Sequence, residues 1–172
     1  VRSVRYQIPM TLAIIGGDVD VSSEEMSEEM TRLQKMCDDL CMGGMVLFLG
    51  KRGQDTLPYY YSAAEVVVMP SLYESFGMVA LEAMACGTPV IASEVGGLGY
   101  LVQNGITGYT IPDSEPETLC DKLSWLLGNA DLRNEMGRSA AEYAANYAWN
   151  KIANQIIDVY KEVTIQTPEV PA

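Results

Sequence analysis

The stretch that decides the fold is residues 66–108, VVVMPSLYESFGMVALEAMACGTPVIASEVGGLGYLVQNGITG. It opens on three valines and Met69, a β-branched run stopped by Pro70, which reads as a short strand. A polar loop follows, then an apolar helix entered near Gly77 and ending before Gly87. Ser75 or Gly77 is placed to cap that helix, Gly87 suits the left-handed position after its last turn, and Pro89 prevents continuation. Strand, glycine-bearing loop and helix N-terminus together make an anion site, because the first helical N–H groups lack partners and the dipole favours negative charge.

The same alternation runs outward in both directions. Strands are expected at 11–15, 45–49, 66–69, 90–93 and 109–111, and helices at 23–42, 56–63, 78–85, 98–104, 115–127, 132–143 and 149–163. The strands are short and mostly apolar throughout, as strands covered on both faces of a parallel sheet are. The fold class is therefore α/β, a Rossmann-like open parallel sheet flanked by helices, with ligands outside the carboxyl ends of the strands. Residues 1–166 read as one such domain, and 167–172, with two prolines in six residues, as a flexible tail.

Composition narrows the function classes. A chain of 172 residues that is 48% hydrophobic and 20% charged can bury a core. The net charge of −12 argues against nucleic acid or an anionic membrane as partner. No run approaches the roughly 18 apolar residues of a membrane span, and the first residues lack the apolar stretch of a signal peptide, so a cytoplasmic location is expected. Histidine is absent, which excludes histidine-based triads, acid/base pairs and zinc ligation within this chain. Cys37, Cys41, Cys86 and Cys120 form no CxxC pair and are expected to be reduced; no metal site is expected.

Charge is unevenly spread. Residues 18–39 hold eight acids against Arg32 and Lys35, a solvated helix face, while between Lys35 and Lys122 the only cations are Lys51 and Arg52. Glu82 is the sole charge in residues 78–86 and needs hydrogen-bond donors or a route to solvent. Glu74 stands eight residues earlier, so two acceptors can border one ligand lying across the helix start. That pairing suits a polyol such as a ribose or hexose better than a metal.

The pattern ESFGMVALEAMACGTPVIASEVGGL, with Glu74 and Glu82 as its two acids, strongly resembles the donor-binding domain of family 4 retaining glycosyltransferases of GT-B fold. The resemblance extends in order through LAIIGG, VLFLGKRG, LPYYYSAAEVVVMPS, LVQNGITGYTIP and the final YAWNKIANQIIDVY. It implies a nucleoside diphosphate sugar as substrate, with UDP-glucose as the first choice and GDP- and ADP-sugars left open, and no cofactor and no metal. By the same resemblance Glu82 accepts from the ribose hydroxyls, and Glu74 contacts the transferred sugar as the catalytic-site acid. Backbone groups around Ser75, Phe76, Gly77 and Met78 meet the sugar and diphosphate, Val79 lines the ribose, and Gly16, Gly17, Lys51 and Arg52 border the donor. Asp18-Val19-Asp20 matches the DxD pattern of metal-dependent transferases, but it reads as an acidic loop after a strand.

The resemblance further implies that the chain is the C-terminal half of a GT-B fold lacking its first strand and helix, with their diphosphate-clamping Arg and Lys. An N-terminal GT-B domain with the acceptor site is then a missing partner, and this chain alone is expected to be inactive. Trp149, Ile152, Ala153, Ile156, Val159, Tyr160 and Val163 form one apolar stripe on the last helix. Docking of that stripe on the chain's own sheet is the simpler expectation; a bare stripe would favour self-association. The alternative to the enzyme reading is a stand-alone, non-catalytic nucleotide-sugar-binding or interaction module. A dinucleotide oxidoreductase is disfavoured, because Val102 stands where a third glycine should follow Gly97 and Gly99.

Overall fold

The computed structural model describes residues 10–17 and 27–165. The chain divides into two compact units, Val1–Ala63 and Ala64–Ala172. In the first, strands β1 (Leu12–Ile15) and β2 (Val46–Gly50) pair in parallel, with Leu12 opposite Val46 and Ile14 opposite Phe48. Helix α1 (Glu28–Asp39) is opened by Ser27, whose hydroxyl accepts the Met30 N–H at 3.3 Å, and by two acids in the first turn. The expected start of α1 at residue 23 lies outside the described residues, as do Asp18-Val19-Asp20 and the 167–172 tail. The helix ends short of residue 42 because Cys41 takes a left-handed φ of 55°. Arg32 pairs with Glu29 at 2.6 Å, which holds the carboxyl below its usual range and the guanidinium above its own. Helix α2 (Leu57–Ala63) completes this unit and buries Tyr61.

The second unit is built on strands β3 (Val67–Met69), β4 (Val90–Ser93) and β5 (Gly108–Ile111), a parallel sheet in the order β3-β4-β5. Its helices are α3 (Met78–Ala85), α4 (Leu98–Leu101), α5 (Pro116–Leu127), α6 (Ala130–Ala144) and α7 (Trp149–Ile165), with a 3-10 turn at Ala145–Tyr147 before α7. All four residues of central β4 are buried, as its aliphatic run predicts. Ile91, Ile111, Leu126 and Met136 join β4, β5, α5 and α6 in one core. Each such side chain contributes about 1.5–3 kcal/mol through burial. Helix α6 lies close to the end of α3: a Cβ on Gly137 would stand 2.1 Å from the Gly87 carbonyl oxygen.

The strands pair in parallel as expected, β1-β2 in the first unit and β3-β4-β5 in the second. Three other expectations need correction. Leu12, Ala13 and Leu47 are exposed, so β1 and β2 are not covered on both faces by the described residues. Helix α4 stops at Leu101 rather than residue 104, because Val102 turns extended and the Gln103 N–H goes to the Thr107 hydroxyl at 2.9 Å. Finally, the α7 stripe does not dock on the sheet: Trp149 is 80% exposed and Tyr160 69%, since α5 and α6 already pack against β4 and β5. Among the described residues, no helix is long and apolar enough to cross a membrane, and the four cysteines are free.

Candidate functional site

The site in the second unit is made by the loop that leaves buried Met69 at the carboxyl end of β3 and enters α3 at Gly77. Of the two expected caps, the structure uses Gly77. It sits at φ 100° and ψ 46°, left-handed backbone that other residues resist, and it offers no side-chain acceptor to the helix. The first N–H groups of α3 are thus without a capping side chain, at the positive end of the helix dipole. Met78 and Val79 in this first turn are exposed. An anionic group placed there would meet converging donors in a setting that needs no lysine or arginine.

Glu74 folds back on the same loop. Its carboxylate accepts the Phe76 N–H at 3.4 Å, and its carbonyl accepts the Gly97 N–H at 3.1 Å from the loop after β4. The two loops touch without any intervening side chain. A Cβ on Gly96 would stand 1.9 Å from the Glu74 carbonyl oxygen, and one on Gly97 would stand 2.5 Å from the Phe76 Cα. Gly96 and Gly97 therefore position the loop that carries Glu74, Ser75 and Phe76. Gly96 and Gly97 stand in the sequence as the paired glycines of ESFGMVALEAMACGTPVIASEVGGL, and their adjacency just after a strand is the signal for this close approach.

Glu82 lies on the second turn of α3, half-buried along an open apolar groove of about 520 Å³. Its walls include Phe76, Met78, Ala144, Tyr147, Trp149 and Ile152, so the one charged residue of the helix borders a surface open to solvent. Phe76 meets Tyr147 edge to face, with centroids 5.9 Å apart and planes at 65°. Tyr147 in turn exchanges a hydroxyl contact of 3.1 Å with Tyr143. That hydrogen bond, with some burial, holds the Tyr147 phenol above its ordinary value. In the sequence Tyr147 stands only as the first residue of the stretch YAWNKIANQIIDVY, with no role given to it at the site, which lies 71 residues before it at Phe76.

Ser75, Phe76, Gly77, Met78, Val79, Glu74 and Glu82 are thus gathered around one helix start. The other expected residues belong to the first unit. Gly16 and Gly17, at φ 131° and 68°, end β1, and the Gly16 N–H donates to the Gly50 carbonyl at 2.9 Å. Lys51 and Arg52 are exposed just after β2. Arg52 is tied down locally: its Nε donates to the Tyr60 hydroxyl at 2.9 Å and its Nη1 to the Lys51 carbonyl at 3.1 Å. In each unit the residues expected to bind stand at carboxyl ends of parallel strands, where open α/β sheets place ligands.

Three comparisons bear on this geometry. A family profile described as "Glycosyl transferases group 1" matches residues 1–143. The D-inositol 3-phosphate glycosyltransferase of Corynebacterium urealyticum is 37% identical over 169 residues, 98% of this chain and 39% of that protein. The enzyme of the same name from Streptomyces bingchenggensis is 43% identical over 131 residues, 76% of this chain and 29% of that protein. Among solved structures, sucrose-phosphate synthase from Thermosynechococcus elongatus is similar with a TM-score of 0.80 and 36% identity, over 94% of this chain and 40% of that one. Anabaena Alr3699/HepE in complex with UDP is similar with a TM-score of 0.77 and 25% identity, over 89% of this chain and 41% of that one. The chain thus spans less than half the length of each.

Proposed function

Because the chain belongs to the glycosyl transferases group 1 family, we propose that it is the donor-binding part of a retaining glycosyltransferase that moves a hexose from a nucleoside diphosphate to an acceptor hydroxyl. On this reading Glu82 accepts hydrogen bonds from the ribose hydroxyls and Glu74 from the hydroxyls of the sugar. The N–H groups around Phe76, Gly77 and Met78 hold the diphosphate, and Val79 lines the ribose. Gly16, Gly17, Lys51 and Arg52 contribute to donor binding from the first unit. The observation that carries the proposal is the start of α3, left without a side-chain cap at left-handed Gly77 and flanked by Glu74 and Glu82.

The chemistry asks for stabilisation of a departing diphosphate and of an oxocarbenium-like sugar. Fixed N–H donors and a helix dipole can meet the first demand without reorganising, and a carboxylate beside the sugar can meet the second. UDP-glucose is the proposed donor, a choice supported by the likeness to a sucrose-phosphate synthase and to a protein solved with UDP. We further propose a cytoplasmic location, and that this chain by itself binds donor with little or no transfer.

A thermal-shift panel of UDP, GDP, ADP and their glucose conjugates tests the reading. A ligand at about 100 times its Kd stabilises by about 2.7 kcal/mol. For a chain of this size that raises Tm by roughly 5–10 °C. UDP-glucose is expected to give the largest shift; a flat response to every nucleotide would overturn the proposal.

A further inference from the structure

Resting on the donor-binding reading above, we propose that Tyr147 is a positioning residue for the sugar-contacting loop: its ring braces Phe76, so the turn leading into α7 sets where residues 74–78 stand. Phe76 sits at the middle of the loop, between Glu74 and the start of α3, and its ring meets the Tyr147 ring edge to face. Such a contact has a preferred geometry and resists sliding in a way that aliphatic packing does not. Tyr147 is itself fixed. Tyr143, one turn earlier, lies with its ring centroid 5.6 Å away and its hydroxyl at 3.1 Å.

The brace is anchored on a rigid element. Tyr143 belongs to α6, a helix of 15 residues whose Gly137 packs directly against the Gly87 carbonyl just beyond α3. A loop held from a helix keeps its donors in place better than a loop held only by its own turns. The groove beside the brace connects the same parts: Phe76, Met78 and Glu82 share its walls with Tyr147, Trp149 and Ile152. The first turn of α7, whose apolar stripe is exposed, therefore borders the residues assigned to the donor. Displacing α7 would move Tyr147, and with it Phe76.

The chain contains two phenylalanines, Phe48 and Phe76, so labelling the full chain with 4-fluorophenylalanine gives two fluorine resonances, with Phe76 assigned by its loss in Phe76→Leu. Tyr147→Leu should shift the Phe76 resonance, leave that of Phe48 in place, and weaken UDP-glucose binding about fivefold, while UDP alone changes less than about twofold. Tyr147→Phe keeps the ring and should restore UDP-glucose affinity to within about twofold. An unmoved Phe76 resonance, or equal losses for UDP and UDP-glucose, overturns the inference while wild-type binding leaves the donor reading standing. Absence of nucleotide binding by the wild-type chain overturns the donor reading, and this inference with it. Should Tyr147→Leu unfold, Tyr147→Met removes the ring with an adaptable apolar side chain and must still move the Phe76 resonance; no movement there also overturns the inference.

Discussion

Gly97→Ala isolates the close approach of the two loops that shape the site. Gly97 has an ordinary helical backbone, φ −66° and ψ −26°, so alanine meets no conformational penalty there. What it meets is the opposing chain: the added Cβ falls 2.5 Å from the Phe76 Cα, 2.6 Å from the Phe76 carbonyl oxygen and 2.6 Å from the Ser75 carbonyl oxygen. All three are backbone atoms, so no side chain can swing away. Restoring an ordinary contact of 3.4 Å moves the loop by about 0.9 Å. Overpacking of this kind costs about 1–3 kcal/mol. At roughly 2–4 °C per kcal/mol for this chain length, Tm should fall by about 2–12 °C. The larger effect is on the ligand, because a displacement near 1 Å breaks hydrogen bonds to a charged ligand that are worth about 1.5–3 kcal/mol each. Calorimetry with UDP-glucose should therefore show at least about tenfold weaker binding to Gly97→Ala. Gly43→Ala, where an added Cβ has nothing within 4 Å, should leave affinity and Tm unchanged. UDP-glucose affinity equal to wild type in a folded Gly97→Ala protein would refute the claim that this contact positions the donor loop.

Other consequences follow from single contacts. Gly137→Ala drives a Cβ to 2.1 Å from the Gly87 carbonyl oxygen, so despite better helix propensity it should lower stability by about 1–3 kcal/mol in urea denaturation. Arg133 donates to the carbonyls of Leu126 and Leu127 at 2.7 and 3.0 Å, closing α5, and pairs with Glu65; Arg133→Met should cost about 1.5–3 kcal/mol by the same assay. The Tyr147 phenol is held above its ordinary value by Tyr143, so its stabilising contribution is complete below pH 10 and is lost as the pH rises through the raised value. Ultraviolet titration should show a tyrosine step above the ordinary phenol value, and Tyr143→Phe should bring that step down.

The fold was legible wherever a local run carries its own boundary signals. Residues 90–93 form the buried central strand because the sequence VIAS lies between a Gly-Thr-Pro stop and a glycine loop. Helix α3 was readable to the residue from its apolar body and its flanking glycines. The end of α4 was not, because the hydroxyl that takes the Gln103 N–H belongs to Thr107, a polar residue of the following loop that carries no stop signal of its own. The exposed stripe of α7 shows the same limit. Its period of 3.6 established an apolar face, but only the packing of α5 and α6 on β4 and β5 reveals that the sheet is already covered.

The candidate site divides along the same line. Glu74, Gly77 and Glu82 stand within one stretch of nine residues, and their spacing relative to a helix start carries the chemistry. Gly96 and Gly97 act on that stretch from the next loop, and Tyr147 acts from beyond α6, through contacts that no periodicity encodes.

The most direct test of the account is calorimetry with UDP on the wild-type chain and on Glu82→Ala. Hydrogen bonds to a charged acceptor contribute about 1.5–3 kcal/mol each, so the variant should bind UDP at least about tenfold more weakly while remaining folded. Equal binding of UDP by the two proteins would contradict the assignment of Glu82 to the ribose and, with it, the donor site built around α3.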